Sequence, residues 1–136
     1  MHAARPLIVI AALLAAVAIA AGAFGAHVLR DSLEPRQLDA FRTGADYQLL
    51  HAVALLVLGL LATRLPQPAR LLRPAWLLLI GILLFSGSLY ILVLSGIRAI
   101  GMATPLGGSL LIIAWCWIAC VCWRGDRVRH RETPAS

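Results

Sequence analysis

The run LIVIAALLAAVAIAAGAFGAH, residues 7–27, decides the fold, because it holds no Asp, Glu, Lys, Arg or Pro. A helix that crosses a bilayer needs about 20 mostly apolar residues at 1.5 Å rise each, and this run supplies them. It also has the look of a signal peptide, with Arg5 as a charged flank and Ala-x-Ala spacings at Ala18–Ala20 and Ala21–Ala23. The apolar stretch is long for a signal core, so it reads as a retained span.

Three further runs follow. The sequence places spans at about 7–27, 47–63, 75–95 and 105–123. The whole chain agrees with this, being 61% hydrophobic and 13% charged, with a mean hydropathy of +0.88. Soluble domains carry about 25% charged residues, so lipid is the solvent for most of this surface. The expectation is an all-α membrane protein, one four-helix domain over residues 1–123. Residues 124–136 read as a basic, mobile cytoplasmic tail.

The net charge is +6 and every basic residue is Arg. These arginines sit between and after the apolar runs, a pattern of membrane topology rather than of nucleic-acid binding. With four spans both termini share one side. That side holds Arg5, Arg64, Arg70, Arg73, Arg124, Arg127, Arg129 and Arg131; the other holds Arg30, Arg36, Arg42 and Arg98. The excess predicts termini in the cytoplasm.

Residues 28–46 hold four of the six acids, Asp31, Glu34, Asp39 and Asp46. Asp31 and Glu34 have capping-box spacing, and Leu38, Phe41 and Ala45 share a helical face. The reading is a short amphipathic helix at the membrane surface between helices 1 and 2, with Gly44 as a hinge; a polar loop is the alternative. Pro66, Pro68 and Pro74 place a loop over residues 64–74. Thr104 followed by Pro105 predicts a capped start to the fourth span.

Small residues mark candidate packing faces: Ala18, Gly22 and Ala26 on the first span, Gly81 with Ser88 and Ser95 on the third, Gly107 and Gly108 on the fourth. In lipid, close backbone approach supplies helix association. Cys116, Cys120 and Cys122 read as small packing residues, not as a metal or disulfide set.

The polar residues within the spans are the candidate site: His27, Tyr47, Gln48, His51, Ser86, Ser88, Tyr90 and Thr104. They fall toward the outer half of the bundle. A polar group in lipid is either functional or bonded to a neighbouring helix. No span carries Asp, Glu or Arg at its centre, which argues against a proton-coupled transporter. No phosphate loop, nucleophile elbow or zinc-hydrolase motif occurs. No cofactor, metal or catalytic residue is expected from these residues.

Four motifs occur in order: Gly22-Ala-Phe-Gly-Ala-His27; Thr43-Gly-Ala-Asp-Tyr-Gln48 with His51-Ala52; Leu84-Phe-Ser-Gly-Ser-Leu-Tyr90; and Thr104-Pro-Leu-Gly-Gly108 with Trp115. Together they resemble the bacterial inner-membrane family called domain of unknown function 423, whose animal relative is transmembrane protein 256. The resemblance covers about residues 7–120. It implies a four-helix membrane fold in the plasma membrane and no particular activity. Ala114 stands where the family often has glycine. Three functions remain open: a non-enzymatic accessory or scaffold subunit of a membrane complex, a small channel or carrier for a polar solute or proton, and a lipid- or quinone-binding protein. The expected partners are the bilayer, other membrane proteins or a second copy, and no nucleic acid.

Overall fold

A computed structural model describes residues 4–129, with side chains placed through Arg124. Four long helices follow one another: α1 (Arg5–His27), α2 (Pro35–Ala62), α3 (Ala69–Ser95) and α4 (Ala103–Arg129), with a 3-10 turn at Arg98–Met102 before α4. All four are long and apolar enough to cross a membrane. In lipid a backbone must satisfy its own hydrogen bonds, and a continuous helix does so within one segment. Residues 130–136 of the expected tail lie outside the described residues.

The close helix pairs are α1–α2, α2–α3 and α3–α4. The middle helices are the most enclosed: 44% of the most apolar stretch is buried in α2 and in α3, against 17% in α1. The main core joins Leu7, Ala11, Leu55, Leu78, Ile82, Leu111 and Ala114. A smaller core of Leu29, Leu38, Phe41 and Val93 lies where the α1–α2 connection folds over.

The residues expected to form a separate amphipathic helix are instead the first turns of α2. The capping box forms at Glu34 and Gln37, one turn later than expected, with Pro35 as the first helical residue. Twenty-eight residues extend about 42 Å at 1.5 Å each, whereas the bilayer core is about 30 Å thick. The excess of roughly 12 Å is about eight residues. That is the length of Pro35–Arg42, whose Arg36, Asp39 and Arg42 are all exposed. Gly44 does not bend the chain. It lies inside α2, and a Cβ there would come within 3.1 Å of the Tyr90 ring.

Two other boundaries differ from expectation. Pro74 is buried inside α3, which begins at Ala69. Its ring frees only the Arg70 carbonyl, which belongs to the first turn, where Arg70 itself is exposed. Thr104 does not cap α4; its hydroxyl bonds to Ser88 on α3. Gly96 ends α3 at φ 71°, a conformation that glycine adopts without cost. The three cysteines are exposed on α4 and pack into no core.

Candidate functional site

The polar residues of the spans divide into separate groups, each with its own partners. Gln48 is 4% exposed. It points from α2 to α1 and donates from Nε2 to the Leu14 carbonyl at 2.8 Å. That oxygen has a second lone pair beyond its own helical bond, so the amide is met without unwinding α1.

His51 lies one turn further along α2 and is equally buried. Its Nδ1 is 2.7 Å from the Tyr47 carbonyl. In the neutral ring Nδ1–H donates there, which leaves Nε2 as an acceptor. The Tyr47 ring stacks on His51 with centroids 5.8 Å apart and tilts against Phe85 at 4.7 Å. Trp115 of α4 lies 6.2 Å from the His51 ring. His51 is thus set between aromatic rings of α2 and α4, and Tyr47 extends the cluster to Phe85 of α3. Tyr47 and Trp115 are each 43% exposed on the outer surface.

Ser88 and Thr104 join α3 to α4 with hydroxyl oxygens 2.7 Å apart. Ser88 gives its proton to the Phe85 carbonyl, so Thr104 donates to Ser88. Glycines bring these helices together. A Cβ on Gly81 would lie 2.8 Å from Leu111, and one on Gly107 would overlap the Phe85 backbone. Gly108 meets Phe85 only at ordinary contact distance, and a Cβ on Gly22 would meet nothing within 4 Å. Ala18 is buried and Ala26 half-buried.

Ser86 and Tyr90 lie one turn apart on α3, and each has a buried oxygen with no hydrogen-bond partner. Every other Ser or Thr hydroxyl among the described residues is bonded. The Tyr90 ring packs on Phe41 with centroids 5.0 Å apart.

His27 stands apart. It is the exposed last residue of α1. Its neighbour Gly25 packs on Phe41, ten residues before His51, which is about 15 Å along α2. The candidate residues therefore do not converge on one pocket. Sequence reasoning missed two participants. Phe85 reads as plain core until its ring is seen between Tyr47 and α4. Gly59 allows Ile8 to approach so closely that a Cβ would lie 2.7 Å from it.

Comparison with known proteins finds relatives named as membrane proteins. The family described as "Protein of unknown function (DUF423)" matches residues 21–108. The UPF0382 membrane protein YwdK of Bacillus subtilis is 41% identical over 84% of this chain and 93% of its own length. A UPF0382 membrane protein of Haemophilus influenzae is 46% identical over 74% of this chain and 80% of its own. No solved structure matches. The chain therefore belongs to the DUF423 family of uncharacterised integral membrane proteins.

Proposed function

We propose that this protein is a non-enzymatic accessory or assembly subunit of a membrane complex, in the bacterial inner membrane with both termini in the cytoplasm. The observation that carries this reading is how the polar groups are used. Gln48 and Thr104 are committed to helix-to-helix bonds inside the chain, as expected of groups that fix a bundle. Meanwhile α1 buries only Leu7, Ala11, Ala18 and Gly25. It leaves Ala12, Ala16, Ala20 and Ala23 exposed, three of them at the four-residue spacing that lets another membrane helix approach closely. The arginine excess at the termini and the α2–α3 loop supports the orientation.

The test is the mass of the protein extracted in a mild detergent. A species larger than the detergent-bound monomer is expected, and Ala16→Leu should reduce it to the monomer with helix content unchanged. A monomer in the unsubstituted protein contradicts the proposal. A polar channel finds less support, because the polar groups form separate pairs rather than one file across the bundle. Binding of a lipid or quinone headgroup is favoured by one observation: neutral His51 keeps an acceptor nitrogen beside the half-exposed Tyr47 and Trp115 rings. Organic extracts that contain no quinone or stoichiometric lipid would count against that second reading.

A further inference from the structure

The end of the bundle that carries the α2–α3 loop has a cavity of about 290 Å³ lined by Leu61, Arg64, Leu65, Arg70, Leu71, Val121 and Cys122. It draws on three helices: the last turn of α2, the first turn of α3 and the far part of α4. Its walls are almost wholly apolar, and Arg64 and Arg70 are the charged residues among them. Neither arginine has an ion-pair partner among the described residues. Two cationic residues at one cavity favour an anion there.

The depth of the cavity narrows the choice of anion. Leu61 is the next-to-last residue of α2 and Leu71 the third of α3, so the walls belong to the apolar spans. Arg64 and Arg70 sit where the spans give way to the loop. An acyl chain beside Leu61, Leu71 and Val121 would place its phosphate near the span ends, where Arg64 and Arg70 stand. Each guanidinium can donate two parallel bonds to phosphate oxygens. A volume near 290 Å³ is at the small end of ligand sites, which start at about 300 Å³. It suits a headgroup with its first methylenes, not an entire lipid.

We propose that this cavity holds the phosphate and proximal acyl chain of one anionic phospholipid, with Arg64 and Arg70 as its ligands. The proposal does not depend on the accessory role. Basic cavities between spans on the cytoplasmic side are a general means of holding anionic headgroups.

Native mass spectrometry of the full chain, released from nanodiscs of mixed phosphatidylglycerol and phosphatidylcholine, tests it. One phosphatidylglycerol retained in preference to phosphatidylcholine is expected. Arg64→Gln and Arg70→Gln should each lower that preference about fivefold, while Arg64→Lys with Arg70→Lys should keep most of it. Val121→Trp, which fills the cavity and leaves both arginines, should lower it as well. Arg30→Gln with Arg98→Gln, at the other end of the bundle, should leave it unchanged. Equal retention of the two lipids, or a preference that survives loss of both guanidinium groups, overturns the proposal. Displacement of the lipid by millimolar inorganic phosphate also overturns it, by assigning the arginines to a free anion.

Discussion

Two adjacent glycines give the sharpest test of the packing. A Cβ at Gly107 would lie 2.7 Å from the Phe85 Cα and 2.9 Å from the Gly81 carbonyl oxygen. These are backbone atoms and cannot rotate away, so α3 and α4 must separate. Overpacking of this kind costs about 1–3 kcal/mol. Separation also strains the Ser88–Thr104 bond one turn away, and such bonds average about 0.6 kcal/mol in membrane proteins. Against this, Ala gains up to about 1 kcal/mol over Gly in a helix interior. Gly107→Ala should therefore lose about 0.5–2.5 kcal/mol. At Gly108 the nearest atoms are 3.7 and 3.8 Å away on the Phe85 ring, an ordinary contact, so Gly108→Ala should be neutral or gain up to about 1 kcal/mol. Reversible unfolding in mixed micelles, or steric trapping in bicelles, measures both variants. Equal effects at the two positions would refute the packing described for this helix pair.

Other consequences are equally specific. A double-mutant cycle on Ser88→Ala and Thr104→Val should give a coupling near 0.6 kcal/mol and below about 1.7, read by the same unfolding assay; zero coupling would mean the two hydroxyls do not meet. Ser86→Ala removes a buried hydroxyl that has no partner, so stability should stay level or rise by about 1–2 kcal/mol. A loss greater than 1 kcal/mol there, on the order of one hydrogen bond, would show that Ser86 is bonded in the membrane.

The four spans were legible because composition alone forces them: a run such as residues 7–27 has no alternative in water or in lipid. The start of α2 was harder to read. Asp39 and Asp46 suggested that the apolar helix begins after them, yet nothing in the local sequence stops a helix between Pro35 and Ala62. Gly44 invited a hinge because its reason is tertiary: the Tyr90 ring passes over it. Thr104 reads as a cap for the same cause, since its partner Ser88 is sixteen residues away. Pro74 misleads because a proline near a helix start costs little. Polar residues were identifiable one by one, but their grouping was not, because it depends on which face each neighbour presents. His27 shows this most clearly: it is chemically suited to a site and geometrically outside it.

The role assigned to α1 can be read in the cell. A photo-crosslinking amino acid at Ala16, on the small-residue face, should yield a discrete adduct with a second copy or another membrane protein on irradiation of intact cells. The same group at Ile112, an exposed position on α4, serves as the reference. An adduct that forms from position 16 and not from position 112 is the predicted result; none from position 16, in protein that is folded and membrane-inserted, would contradict the assembly role.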